Sequence, residues 1–259
     1  MGEYVAACRS HDLKVGFYYS LPDWHHPDYP AFTEADKPYV FGQYPTAGKA
    51  QWQRYLDYLR GQLTELLTNY GPIDILWFDG GWERDADTWD CAGIETLVRS
   101  LQPDILINDR LPGHGDYATP EQFIPPTAPE GAWETCLTMN ESWGFNPHDT
   151  HYKSATVLVH TLAEVAGRGG NLLLNISPDG RGRLIPEQHS RLEAMAHWTE
   201  RHHEAVFGTQ AGLEPWQFYG PTARRGNTVF LHLLMRPNAP VAVRGVPLRH
   251  ETGVRTVAS

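Results

Sequence analysis

The chain has 259 residues, with 21 Lys plus Arg against 31 Asp plus Glu and therefore a formal net charge of −10. This acidic balance excludes a basic nucleic-acid-binding surface as the main feature of the protein. A hydrophobic content of 41% and a charged content of 20% exclude a disordered or collagen-like chain. The first residues carry charges and no segment approaches a membrane span, so we expect a cytoplasmic protein without a membrane partner.

Strands and helices alternate along most of the sequence. The pattern predicts strands at residues 14–20, 73–78, 104–108, 133–138 and 171–176, and helices at 48–70, 94–101, 154–166 and 186–203. This alternation is typical of parallel βαβ units. Because a complete (β/α)₈ barrel takes roughly 250 residues and eight strands, the sequence predicts an incomplete (β/α)₈-like TIM barrel within an α/β fold.

After residue 207 the pattern changes to short apolar runs between Pro and Gly turns. Residues 228–235, 241–243 and 253–257 are predicted strands without helical periodicity. We therefore expect a catalytic domain at residues 1–207, followed at 208–259 by part of a small all-β, sandwich-like domain.

Polar side chains follow the predicted parallel strands, where barrel enzymes carry their functional groups. Asp79 ends the apolar run at 73–78, Trp77 lies two residues before it, Arg110 follows the next strand, and Tyr18 lies in the first strand. A carboxylate in this position suits covalent or acid/base catalysis. The alternatives are that Asp79 only opens a turn, that Arg110 is a structural partner of an acid, and that Tyr18 is a core residue.

Two further carboxylates lie downstream. Glu121 occurs in a long loop and Glu134 in the strand at 133–138. Glycosidases use two carboxyl groups, about 5 Å apart in retaining enzymes and about 6.5–9.5 Å apart in inverting ones. Spacing in sequence does not give this distance, and a solvated loop glutamate is the simpler interpretation of Glu121.

Histidines cluster twice, His25-His26 with Asp28, and His148 with His151. Neither cluster has the spacing of a known zinc motif, so we predict no metal site. The glycine-rich segments after Arg168 and Asp179 match no phosphate-binding loop and are expected to be turns.

Six sequence blocks, in order, resemble the α-L-fucosidases of glycoside hydrolase family 29: GFYYSLPDW, ILWFDGGW, INDRL, TPEQ, WETCLTMNESWGFN and RGGNLLLNISPDGRGRLIPEQ. The resemblance covers residues 3–235. It implies a cofactor-free retaining exo-glycosidase that removes terminal α-L-fucose from oligosaccharides or glycoconjugates through a covalent glycosyl-enzyme intermediate.

The same resemblance implies roles for individual residues. Asp79 corresponds to the nucleophile, and Tyr18, Trp77 and Arg110 correspond to residues that line the sugar site. The general acid/base varies in position across the family. We assign it to Glu121, with Glu134 as the alternative.

Members of this family carry two earlier strands and a histidine pair ahead of the YYS strand, and this sequence lacks that block. We therefore expect unpaired sheet edges at residues 14–20 and 171–176, which favour self-association. The competing hypothesis is a catalytically silent, truncated homologue that binds carbohydrate or a partner chain.

Overall fold

The computed structural model describes residues 1–246. The chain divides into two compact units, Met1–Ala118 and a second that begins at Thr119. Both units alternate strands with helices, as the sequence predicts.

The first unit is built around a three-stranded parallel sheet with the strand order β1-β2-β3. Its elements are α1 (Gly2–Ser10), β1 (Gly16–Ser20), α2 (Lys49–Thr68), β2 (Ile75–Asp79), α3 (Ala86–Trp89), α4 (Cys91–Leu101), β3 (Leu106–Ile107) and β4 (Tyr117–Ala118). In this register Tyr18 is opposite Trp77, and Ser20 is opposite Asp79. The carboxyl ends of β1 and β2 therefore lie side by side.

An apolar stripe on α2 explains why this helix forms and where it packs. Its buried residues are Tyr55, Leu56, Leu59, Leu63 and Leu67, spaced three or four apart on one face. Leu59, Leu63, Leu76 and Phe78 are fully buried in one hydrophobic core that also includes α4 residues. Burying each of these side chains contributes about 1.5–3 kcal/mol, and this core supports the strand that carries Asp79.

The second unit contains another parallel strand pair and then an antiparallel sheet. Its elements are β5 (Ala132–Thr138), α5 (Ala155–Gly167), β6 (Asn171–Asn175), α6 (Pro186–His202), β7 (Gln210–Ala211), β8 (Thr222–Arg225) and β9 (Thr228–Leu231). β5 pairs in parallel with β6, and β7, β8 and β9 form an antiparallel sheet. The change from parallel to antiparallel pairing follows the predicted change of pattern near residue 208.

β3 is shorter than the predicted strand at 104–108. The side chain of Asn108, which is fully buried, replaces a backbone pair: its Oδ1 accepts from the Phe78 amide at 2.8 Å and its Nδ2 donates to the Phe78 carbonyl at 2.9 Å. The sheet therefore continues through a side chain where the strand itself ends.

The prediction of a strand at residues 241–243 is wrong. These residues form no strand; Val241 and Val243 are exposed, and Pro240 has no amide hydrogen to donate. β7 and β8 were not predicted, since β8 reads Thr-Ala-Arg-Arg and presents both arginines to solvent. The strand predicted at 253–257 lies outside the described residues.

Within residues 1–246 we find no helix that combines the length and the apolar character needed to cross a membrane.

Candidate active site

Asp79 ends β2 and is followed by a sharp turn that only glycine permits. Gly80 has a positive φ of 74°, and a Cβ there would lie 2.4 Å from the ring of Pro22. A Cβ on Gly81 would lie 2.2 Å from the Arg110 carbonyl oxygen. The two glycines let the chain leave the sheet directly after the carboxylate, so Asp79 stands at the very end of the strand.

Two donors hold the Asp79 carboxylate, one on each oxygen. The Tyr18 hydroxyl donates to Oδ2 at 2.5 Å, and Arg110 Nη1 donates to Oδ1 at 2.8 Å. The Arg110 and Asp79 side chains are 13% and 21% exposed. Charge-assisted hydrogen bonds of this kind fix a carboxylate in orientation, and each oxygen keeps a further lone pair for a reacting atom.

Tyr18 remains a hydrogen-bond donor at neutral pH. Loss of water around the hydroxyl and the hydrogen bond to the Asp79 carboxylate raise the pKa of Tyr18. Its ring stacks on Trp77, with centroids 5.7 Å apart and planes 19° apart. Tyr18 is 62% exposed, so the interpretation of this residue as a core residue is wrong.

Trp77 and Arg110 complete the cluster. The Arg110 guanidinium carbon lies 4.5 Å from the centre of the Trp77 ring, a cation–π contact. The four residues that the sequence assigned to the ends of neighbouring strands thus contact one another within the first unit. Tyr18 contacts Asp79 and Trp77, and Arg110 contacts Asp79 and Trp77. Neighbouring parallel strands end at the same edge, which explains this convergence.

Glu121 and Glu134 both lie in the second unit. Glu134 is partly buried on β5, and Glu121, also partly buried, pairs as an isolated parallel bridge with Cys136 of the same strand. The Gln122 amide donates to the Cys136 carbonyl at 2.9 Å, and the Cys136 amide donates to the Pro120 carbonyl at 3.1 Å. Glu121 is therefore part of a segment whose backbone is hydrogen-bonded to β5. This differs from the interpretation of Glu121 as a solvated loop residue.

Gln122 adds a second attachment next to Glu121. Its φ of 63° is unusual for a residue other than glycine, and its side-chain amide donates to Thr138 Oγ1 at 3.2 Å. Sequence reasoning did not single out Gln122. Its only signal was its place directly after Glu121.

The two histidine clusters differ from each other in their local contacts. Asp28 pairs with Arg54, and the His26 ring lies 4.2 Å from that of Tyr58. Glu141, Asp149 and His151 bring ligand atoms within 4.8 Å of one another. The Asp149 carboxylate also accepts hydrogen bonds that organise its own loop. The expectation of a metal-free protein stays a prediction.

Comparison with known proteins agrees with the resemblance. The protein-family model for α-L-fucosidase matches residues 1–204 of this chain. The α-L-fucosidase of Branchiostoma floridae is 31% identical over an alignment of 278 positions, which covers 99% of this chain and 58% of that protein. Among solved structures, α-L-fucosidase isoenzyme 1 from Paenibacillus thiaminolyticus has 36% identity and a TM-score of 0.84, over 94% of this chain and 62% of that one.

A second solved structure is informative about the reaction catalysed by a family member. A family 29 α-L-fucosidase from Bacteroides thetaiotaomicron, trapped as a covalent intermediate with 2-fluoro-fucosyl fluoride by means of a glutamate-to-glutamine mutant, has 26% identity and a TM-score of 0.75, over 87% of this chain and 55% of that one. This chain spans 58% and 62% of the lengths of the Branchiostoma and Paenibacillus proteins. The matched region, residues 1–204, includes the whole cluster around Asp79. The chain belongs to the α-L-fucosidases of glycoside hydrolase family 29.

Proposed function

We propose that this chain carries the catalytic site of a retaining α-L-fucosidase, with Asp79 as its nucleophile. The observation that carries the proposal is the Asp79 carboxylate, held at the end of β2 by Tyr18 on one oxygen and Arg110 on the other. A nucleophile so oriented needs no rearrangement before it attacks. Its substrates would be fucosylated oligosaccharides or glycoconjugates.

The reaction then proceeds in two displacements. A carboxylate oxygen of Asp79 forms a bond to the anomeric carbon while the bond from that carbon to the leaving oxygen breaks, and Glu121 donates its proton to that oxygen. Glu121, now ionised, takes a proton from water, which attacks the anomeric carbon and releases Asp79. The trapped intermediate of the Bacteroides enzyme supports a covalent route of this kind.

Tyr18 and Arg110 would act on the charge of the nucleophile. Both donate hydrogen bonds to the carboxylate, so they orient it before attack. They donate to it again once hydrolysis of the glycosyl ester has released it. Trp77 would line the sugar site beside Asp79, with its ring held in place by Tyr18 and Arg110.

Glu121 is our choice for the acid/base because the backbone on both sides of it is bonded to β5. Glu134, on β5 itself, remains the alternative, with a role in substrate binding if Glu121 is the acid/base. Both lie in the same unit and both are partly buried.

The proposed architecture is an incomplete (β/α)₈-like barrel at residues 1–207 followed by part of an all-β domain at 208–259. Five strands in parallel pairings and the antiparallel sheet of β7, β8 and β9 support it. Exposed edges of the parallel strands would favour a homo-oligomer. The cytoplasmic location expected from the sequence stays a prediction.

Two measurements test the function. Turnover of an aryl α-L-fucoside separates a hydrolase from a silent homologue, which would show none. Incubation with 2-fluoro-fucosyl fluoride, followed by peptide mass mapping, should place one 2-fluorofucosyl adduct on Asp79. The fluorine at C2 slows both formation and hydrolysis of the ester, whereas the fluoride leaving group keeps its formation fast, so the ester accumulates. An adduct on another carboxylate would remove Asp79 from this role.

A further inference from the structure

Trp82 is an exposed aromatic residue in a turn that is otherwise buried. It lies in the one-turn 3₁₀ helix Gly81–Glu83, in which Gly81 and Glu83 are both buried. Trp82 itself is 51% exposed. The turn directly follows Asp79 and Gly80, so it leaves the nucleophile strand with the indole outward.

Hydrogen bonds hold this turn from both sides. The Gly81 carbonyl accepts from Trp89 Nε1 at 2.9 Å. The Glu83 carboxylate accepts from Trp24 Nε1 at 3.0 Å and from the Tyr29 hydroxyl. The backbone under Trp82 is thus set before any ligand arrives, which reduces the entropy lost when a ligand stacks on its ring.

The ring of Trp82 lies next to the nucleophile cluster and also lines a groove. The Arg110 guanidinium, which binds Asp79, lies 6.0 Å from the centre of the Trp82 ring. The same ring borders a groove of about 900 Å³ within the first unit. Trp82 therefore contacts Arg110, a neighbour of the reacting carboxylate, and also lines the groove.

The groove combines aromatic surfaces with polar groups of both signs. Tyr44, Trp52 and Trp82 supply the rings, and Lys49, Gln53 and Asp87 are among the polar residues in its lining. Arg60 pairs with Asp90, and the two terminal guanidinium nitrogens of Arg84, Nη1 and Nη2, donate to backbone carbonyls. Both arginines are thus engaged, and the lining also carries four carboxylates, those of Glu83, Asp85, Asp87 and Asp90. The groove therefore favours a neutral polyhydroxylated ligand over a phosphate or a polyanion.

We infer that this groove binds the leaving-group sugar, a neutral hexopyranoside to which the fucose is attached, with Trp82 as its stacking platform. The inference rests on the proposed function, because the site for the leaving group must adjoin the nucleophile. A volume of about 900 Å³ lies within the range of about 300–1,000 Å³ typical of small-molecule sites. Pyranose rings present C–H faces that pack on an indole while their hydroxyls bond to groups such as Lys49 and Asp87.

The kinetic test compares two substrates that differ in the leaving group. α-L-Fucosyl fluoride loses only fluoride, whereas 2′-fucosyllactose loses the neutral disaccharide lactose. Trp82→Ala should lower kcat/KM about 10-fold or more on 2′-fucosyllactose and leave it within about 2-fold on the fluoride. Trp216→Ala, which removes an indole that is 65% exposed in the second unit, is the matched control and should alter neither. Equal losses on both substrates, or no loss on either, would overturn the inference.

A binding test needs no turnover. Lactose should shift the indole Hε1 resonance of one tryptophan saturably in NMR spectra, and that resonance should be absent from Trp82→Ala and retained in Trp216→Ala. No saturable shift of the Trp82 resonance would overturn the inference. The two hypotheses can fail separately. Lactose binding at Trp82 without hydrolysis of fucosyl fluoride would remove the proposed fucosidase function and keep the sugar-binding groove. Hydrolysis of fucosyl fluoride without lactose binding would keep the function and remove the groove as a sugar site.

Discussion

Replacement of Asp79 by Ala is the most direct perturbation of the proposed chemistry. It removes the acceptor of the Tyr18 hydrogen bond at 2.5 Å and of the Arg110 hydrogen bond at 2.8 Å, and with it the group that forms the covalent intermediate. Because a whole reaction step is lost, we expect kcat on an aryl α-L-fucoside to fall at least ~10³-fold, which corresponds to about 4 kcal/mol in activation free energy.

The neighbours of Asp79 predict what restores activity. Without the carboxylate, the Arg110 guanidinium and the Tyr18 hydroxyl remain as an anion site beside the anomeric carbon. Azide should bind there and attack directly, so we expect a rate increase of about 10–100-fold at saturating azide. The product should be the β-fucosyl azide, identified from its anomeric proton coupling in the NMR spectrum.

Two controls make this result specific. Asp57→Ala removes an exposed carboxylate on α2 that accepts hydrogen bonds from Arg60 and Gln53, and should change neither the rate nor its response to azide. Adding Arg110→Ala to Asp79→Ala should abolish the rescue. Activity close to that of the unmodified enzyme in Asp79→Ala would refute the reasoning.

Three further predictions concern the second carboxylate, the turn after β2 and the response to acid. Glu121→Ala should slow substrates with poor leaving groups much more than activated aryl fucosides, and if Glu134→Ala shows this pattern instead, the two roles exchange. Gly81→Ala should lower the free energy of unfolding in urea by about 2–3 kcal/mol, because its Cβ would lie 2.2 Å from a backbone carbonyl oxygen, whereas Gly61→Ala on α2, with nothing within 4 Å, should be neutral or stabilising. Burial lowers the pKa of His232 below its usual value, so below about pH 6.5 the unfolded chain binds more protons than the folded chain. The free energy of unfolding should therefore fall as the pH drops from 7 to 5. His232→Gln should flatten this pH dependence in urea titrations, and an unchanged slope would contradict the assignment to His232.

The alternation of apolar strands and amphipathic helices was predictable from the sequence because it depends on local periodicity. The stripe of leucines on α2 and the apolar run of β2 each encode their own element and its buried face. The prediction was less accurate where a side chain replaces the backbone, as Asn108 does beyond β3. It failed for β8, because its first two residues are buried and its last two, both arginines, are exposed, so no apolar–polar alternation marks the strand.

The residues around Asp79 could be nominated from sequence because the ends of neighbouring parallel strands meet at one edge of a sheet. Which oxygen each residue binds could not, since the contact of Tyr18 depends on the register of β1 against β2 and the contact of Arg110 on the pairing of β2 with β3. The sequence by itself determined the family, the alternation of the main parallel strands and helices, and the identity of the acidic residues. Only the tertiary structure decided that Glu121 is fastened to β5 and that Trp82 borders a groove, because these features arise from contacts between segments that local patterns do not encode.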